Sequence, residues 1–283
     1  MPSKILIQHF ENLLSEKIIK TKPLLGGDIN EVCLLITSTR KLVVKINSDE
    51  RFPGMFQAET EGLRELRKAK VFTIPQVLHY GSSNDEAFLL LEYIDSGKQI
   101  EDFWLVFGKQ LALLHKQSKP YFGFENDNYI GSLPQCNHKH ISPSEFYINQ
   151  RLQPQFEMAI NRGFSFRNLD DFYATIETEI PNEASSLVHG DLWNGNFIMD
   201  TRGYPCLIDP AVSYASREMD IAMMHLFGGF DPELFEIYNE TFPLTENWRE
   251  RLGIWQLYYL LVHLNLFGSS YYNSVTRILN QYR

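Results

Sequence analysis

Leu187-Val-His-Gly-Asp191-Leu-Trp-Asn-Gly-Asn196-Phe-Ile, followed by Cys206-Leu-Ile-Asp209-Pro-Ala, decides how this chain is read. Asp191 and Asn196 stand at the D-x-x-x-x-N spacing of a phosphoryl-transfer loop, in which the Asp receives the acceptor hydroxyl proton and the Asn helps to hold Mg²⁺. Asp209 follows thirteen residues after Asn196, at the end of an apolar run, where a second metal-binding carboxylate is expected. The chemistry requires these residue types. Triphosphate charge is neutralised by Mg²⁺, a hard cation that prefers oxygen donors, and a separate carboxylate must aim the attacking hydroxyl. Each fragment alone reads as an ordinary turn or strand end. Their order and spacing, each beside a short apolar run, favour a site.

Bulk properties agree with a folded enzyme of one or two domains. The chain has 283 residues, 44% hydrophobic and 22% charged, with a formal net charge of −9. No dense Lys/Arg stripe occurs, so a nucleic-acid footprint is not expected. Cys33, Cys136 and Cys206 are odd in number and form no C-x-x-C pair, which fits free thiols in a reducing compartment. No secretory leader is visible at the N-terminus, and the most apolar segment, 254–267, is interrupted by Gln256, His263 and Asn265. A cytoplasmic protein without membrane contact is expected, and 254–267 reads as a buried helix.

Outward from the site, the first ~20 residues (Ile5, Phe10, Leu13, Leu14, Ile18) have helical spacing. Strands are predicted over 32–37 and 41–46, a helix over 56–68, an edge strand within 71–80 carrying Pro75, and a buried strand over 87–94. Asp95-Ser-Gly-Lys marks a break. A helix over 103–116, a long loop over 121–144, helical spacing over 143–161 and helices from 218 onward follow. The expectation is a two-lobed α+β fold resembling that of protein kinases: a β-rich, nucleotide-binding lobe over 1–94 and a mainly helical lobe over 95–283, with the site at their junction.

On the nucleotide side, Gly26-Gly27 could cover phosphates through backbone N–H groups, although a hairpin turn explains the pair as well. Val43-Val44-Lys45-Ile46 resembles the kinase strand whose Lys contacts the α and β phosphates, and Glu59, fourteen residues on, is placed to pair with Lys45. Glu92-Tyr93-Ile94 ends the first lobe where adenine would meet backbone groups. No G-x-x-x-x-G-K-[ST] run exists, which excludes a P-loop. Asp209 and Glu218 are only nine residues apart, too close for the activation segment that docks a peptide, so a small metabolite is the expected acceptor.

The chain resembles the fructosamine kinase (ketosamine-3-kinase) family, within the aminoglycoside-phosphotransferase-like branch of the kinase fold. The resemblance is carried by Gly26-Gly27-Asp28-Ile29-Asn30, Met55-Phe-x-Ala-Glu59-x-x-Gly62-Leu63, Phe122-Gly-Phe, and Ile130-Gly-Ser-Leu-Pro-Gln135-x-Asn137. It continues through Arg151-Leu-x-Pro-Gln155, His189-Gly-Asp-Leu-Trp193, Asp209-Pro-Ala, Arg217-Glu-x-Asp220 and Leu226-Phe-Gly-Gly-Phe230. It implies ATP- and Mg²⁺-dependent phosphorylation of a ketosamine sugar hydroxyl. Asp191 would be the base, Asn196 and Asp209 the metal ligands, and Trp193, Tyr214, Arg217 and Glu218 would contact the acceptor. The segment Ser213-Tyr-Ala-Ser-Arg-Glu218 departs from the family's Tyr-Tyr-Gly-His-Arg-Glu, and His138-Lys-His-Ile replaces an aromatic stretch. Altered acceptor preference is therefore expected. Two other readings are an amino-alcohol or aminoglycoside kinase and a nucleotide-binding module without turnover.

Overall fold

The computed structural model describes residues 1–24, 29–83 and 85–282. Helix α1 (Lys4–Leu14) starts where the Ser3 hydroxyl accepts from the Leu6 N–H, and it buries Leu6, Phe10 and Leu14 at four-residue intervals. It is shorter than its sequence pattern predicts. Ser15 adopts a left-handed conformation (φ 54°) that stops the helix, and the Ile18 N–H turns to the Glu11 carboxylate at 3.0 Å. Ile18 thus opens a strand, β1 (Ile18–Pro23), that the helical spacing concealed.

Strands β2 (Glu31–Thr37) and β3 (Lys41–Ser48), helix α2 (Met55–Ala69), and strands β4 (Val77–Ser83) and β5 (Glu86–Glu92) follow. The five strands form one antiparallel sheet ordered β1-β2-β3-β5-β4. Pro75 lies before the edge strand β4, as a residue without an N–H donor should. The two-residue period of β3 sorts its side chains. Leu42, Val44 and Ile46 pack with α1, whereas Val43 and Lys45 face the cleft beneath the sheet.

The second lobe begins with α3 (Phe103–His115). Within the predicted loop lies a small hairpin, β6 (Asn128–Ile130) and β7 (Leu133–Gln135). Next come α4 (Pro143–Phe146), a π-helical turn (Tyr147–Leu152), α5 (Gln153–Asn161) and α6 (Leu169–Glu179). Four short strands follow: β8 (Ser186–Val188), β9 (Phe197–Met199), β10 (Pro205–Leu207) and β11 (Ser213–Ala215). Helices α7 (Glu218–Phe227), α8 (Pro232–Thr241), α9 (Trp248–Phe267) and α10 (Tyr272–Gln281) complete the chain.

Helix α9 is apolar almost all round because α5, α7 and α10 pack against it, and it buries Trp255, Tyr258 and Tyr259. No helix among the described residues is long and apolar enough to cross a membrane. All three cysteines are free.

Candidate active site

Strand pairing brings the two decisive stretches of sequence together. β8 pairs with β11 and β9 with β10, so the loop 189–196 and the loop 208–212 are held side by side at both ends. The Ile208 N–H donates to the Asn196 carbonyl at 3.0 Å, and the Ala211 N–H to the His189 carbonyl at 2.9 Å. Gly190 is required at this crossing. Its φ of +83° is left-handed, and a Cβ there would collide with the Ala211 carbonyl oxygen.

A buried carboxylate anchors the loop from below. Asp220 accepts the His189 N–H at 2.7 Å and the Gly190 N–H at 2.8 Å. His115 Nε2 lies 3.1 Å from Asp220, and its Nδ1 is 2.8 Å from the Tyr238 hydroxyl. Burial acts to raise the Asp220 pKa, but the bonds from His115 and the backbone hold it below the ordinary value. The His189 ring is a loop brace: Nε2 donates to the Ile208 carbonyl at 2.9 Å, and Nδ1 accepts from the Asp191 N–H at 3.3 Å. Burial lowers its pKa.

Above this anchor, the Asn196 amide donates to both the Asp191 carbonyl (2.8 Å) and the Asp191 carboxylate (2.9 Å). Burial pushes the Asp191 carboxyl up to about 7, opposed by the Asn196 bond and reinforced by Asp209 and Asp220. Such a carboxyl is matched to proton transfer near neutrality. Across the cleft, Lys45 Nζ lies 2.6 Å from Glu59 and 2.6 Å from Asp209. Burial alone would lower the Lys45 pKa; the two carboxylates raise it above the ordinary lysine value. Asp209 itself has a φ of 56°, a left-handed conformation that Asp tolerates better than most residues.

These groups line one cavity of 1060 Å³ beneath the sheet. Lys45, Glu59, Glu92, Tyr93, Ile94, Asp191, Trp193, Asn196 and Asp209 all border it. Gly26 and Gly27 lie outside the described residues. The Trp193 indole lies over Gly195, where any Cβ would strike the ring, and it remains 40% exposed.

Three residues expected on the acceptor side are elsewhere. The Tyr214 hydroxyl donates to Glu65 at 2.9 Å, away from the cavity. The Arg217 guanidinium is spent on Glu183 at 2.5 Å and on the carbonyls of Phe242 and Pro243. Glu218 is fully buried, bound by Arg251 at 2.6 Å and by the Trp255 indole N–H at 2.7 Å. Arg217 and Glu218 tie the start of α7 to its neighbours, Tyr214 ties β11 to α2, and none borders the cleft. Ser213, in the segment that departs from the family pattern, is also buried and outside the cavity.

The cavity also has walls that the sequence reading did not assign. Residues 128–132 of the β6–β7 hairpin form one. A buried polar network fixes them: Gln135 donates to Asn128 at 2.7 Å, Asn128 to the Val212 carbonyl at 2.8 Å, and the Tyr258 hydroxyl to Gln135 at 2.6 Å. Arg151, turned inward by the π-helical turn, binds Asn137 at 2.7 Å. A second wall is a stripe on α9 at positions 259, 262, 263, 266 and 267, with Met223 and Phe227 of α7 beside it. The helical spacing of that stripe was visible in the sequence, but an apolar stripe ordinarily means core.

With this geometry in view, comparison with known proteins is decisive. The family model described as fructosamine kinase matches residues 2–283.

The chain belongs to the fructosamine kinase family.

An Enterococcus faecium protein described as a probable ketoamine kinase is 38% identical over 269 residues, covering 93% of this chain and 95% of its own. A Vibrio parahaemolyticus protein of the same description is 37% identical over 277 residues, with coverages of 96% and 94%. Among solved structures, one from Haemophilus somnus, named for fructosamine-3-kinase, superposes with a TM-score of 0.88 at 29% identity, over 97% of this chain and 95% of that one. An aminoglycoside phosphotransferase solved with AMP-PNP and hygromycin B shares the fold, with a TM-score of 0.64 at 13% identity over 98% and 96% of the two chains. Membership of the fructosamine kinase family makes the protein a phosphotransferase of the kinase-like fold.

Proposed function

We propose that this protein transfers the γ-phosphoryl group of MgATP to a sugar hydroxyl of a ketosamine. The observation that carries this reading is the join made by Asn196. Its amide nitrogen reaches Asp191 at 2.9 Å, and the Asp209 carbonyl lies 3.5 Å away. A base for the acceptor and a carboxylate for the metal thus stand on adjoining loops of one cavity.

The side chains fit a hard cation. Asp209 gives one oxygen to Lys45, and among the described residues its Oδ2 has no hydrogen-bond partner. Asn196 turns its nitrogen to Asp191, leaving Oδ1 without a partner there. Two oxygen donors are what Mg²⁺ asks of a protein that shares it with phosphates. Mg²⁺ held by them would neutralise the charge of the triphosphate and of the group in transfer.

The protein's own residues do the rest. Lys45, fixed by Glu59, supplies a positive charge to the phosphates of bound ATP. Glu92, Tyr93 and Ile94 border the part of the cavity where adenine would lie. Asp191 accepts the proton of the attacking hydroxyl, and Asn196 keeps its carboxylate aimed. Trp193 offers a flat face to the sugar.

ATP consumption measured over fructosyl- and ribulosyl-amines, amino alcohols and aminoglycosides tests the reading. Turnover confined to ketosamines is expected. Turnover of an amino alcohol or aminoglycoside with none of any ketosamine would overturn it.

A further inference from the structure

The α7–α9 wall has a chemical character that the transfer reaction does not require. Phe227 of α7 and Phe267 of α9 are 37% and 54% exposed, although each belongs to an aromatic group centred on His263. Ring centroids lie 4.8 Å apart for Phe227 and His263, and 5.4 Å apart for His263 and Phe267. His263 carries no charge into this group. Its Nδ1 donates to the Tyr259 carbonyl at 2.8 Å, and burial lowers its pKa. Val262 and Leu266 continue the same face into the cavity.

Charge is distributed unevenly around the cavity. Among the described residues its carboxylates are Glu59, Glu92, Asp191 and Asp209, and its one cationic side chain is Lys45. None of these lies on α7 or α9. A polycation reaching that wall would desolvate its ammonium groups against rings without a carboxylate to meet them. One ammonium beside Asp191, or over an aromatic face, is tolerable. An apolar group placed there would remove exposed aromatic surface from water.

We infer that the α7–α9 wall is a subsite for an apolar or aromatic substituent on the acceptor amine, so that the preferred ketosamines derive from hydrophobic amines. The inference rests on the ketosamine reading above. In that reading the sugar hydroxyl sits at Asp191, and the substituent extends past Trp193 towards Phe227 and Phe267.

The test uses the full chain with three fructosamines that share one sugar and differ in the amine substituent: N-methyl, N-benzyl and N-(4-aminobutyl). For the wild type, kcat/KM for the benzyl compound should exceed that for the methyl compound by about tenfold, the scale on which a hydrophobic pocket discriminates. The aminobutyl compound should be the poorest. In a Phe227→Ala/Phe267→Ala variant the benzyl-to-methyl ratio should fall towards one. Phe267→Glu, at a position more than half exposed and so tolerant of substitution, should shift preference towards the aminobutyl compound and serves if the double variant does not fold. Equal kcat/KM for benzyl and methyl compounds in the wild type would refute the subsite while leaving the ketosamine reading intact. An unchanged ratio in a folded variant would also refute it. No turnover of any of the three would sink both readings.

Discussion

Asn196 donates to its neighbour Asp191 twice, to the main-chain carbonyl at 2.8 Å and to the carboxylate at 2.9 Å. One amide therefore sets both where the loop runs and where its acid points.

Asn196→Ala should remove that aim and, on the proposed reading, one of the two oxygens that would hold Mg²⁺. A fall in kcat of ~10²-fold is expected, the scale of a lost positioning contact. Steady-state kinetics at saturating ketosamine and MgATP read it directly, and a kcat within twofold of wild type would show that Asp191 needs no such support.

Asp191→Asn should cost ~10²- to 10⁴-fold in turnover, as for removal of a general base. It should also stabilise the unliganded protein above neutral pH. The Asp191 carboxyl is raised from an ordinary 3.8 to about 7 in the fold, so the folded state binds this proton more tightly than the unfolded one. The group therefore weakens the fold progressively as pH rises from about 4 to about 7, and fully beyond. Melting temperatures measured without nucleotide or metal should put the variant above wild type at pH 8, with the gap narrowing through pH 5 and closing only near pH 4. A gap independent of pH would contradict the sign.

Lys45→Met leaves Glu59 buried opposite Asp209 with no cation between them. Breaking a buried ion pair by removing one partner costs on the order of 3 kcal/mol. Urea denaturation should show a loss of that order, together with weaker ATP binding. An unchanged midpoint would mean that the triad is not coupled to stability.

Asp209→Ala should abolish Mg²⁺-dependent binding of ATP while leaving the fold intact, since its side chain is 42% exposed. Calorimetric titration with ATP, with and without Mg²⁺, measures the difference. Equal MgATP affinity in variant and wild type would demote Asp209 to a strand-end residue.

Ser213→Tyr, a change towards the family pattern, should act on stability before selectivity. Ser213 is 1% exposed in β11, and forcing a large ring into a packed site commonly costs about 1–3 kcal/mol. A lower melting temperature with an unchanged ranking of ketosamine acceptors is expected; a new ranking at unchanged stability would place this segment at the acceptor after all.

The two lobes, the sheet and the carboxylate pair were legible in the sequence because each rests on a local signal. Alternation marks Lys45 as facing one way and Val44 the other, and turn residues mark the loops that carry Asp191 and Asp209. What was not legible depends on partners far along the chain. Arg217 and Glu218 sit in a run that the resemblance places at the acceptor, yet Glu183 and Arg251, thirty-odd residues away in either direction, draw them into the frame. Ile18 fits a helical stripe, and only the Ser15 turn and pairing with Thr37 reveal it as strand. The α9 stripe has the same ambiguity, since spacing shows that Phe267 shares a face with His263 but not that the face borders a cavity.

Trp193 gives the protein a built-in optical reporter. It is 40% exposed and borders the cleft, whereas Trp248 and Trp255 are buried and Trp104, partly exposed, lies outside the cavity, so its indole has the most to lose from water when the cleft fills. Its ring lies on Gly195, the residue before Asn196, and Trp193 itself is two residues from Asp191. Intrinsic fluorescence should therefore separate arrival of the acceptor from arrival of the nucleotide without any label, with the emission moving to shorter wavelength as a sugar replaces water on the indole face.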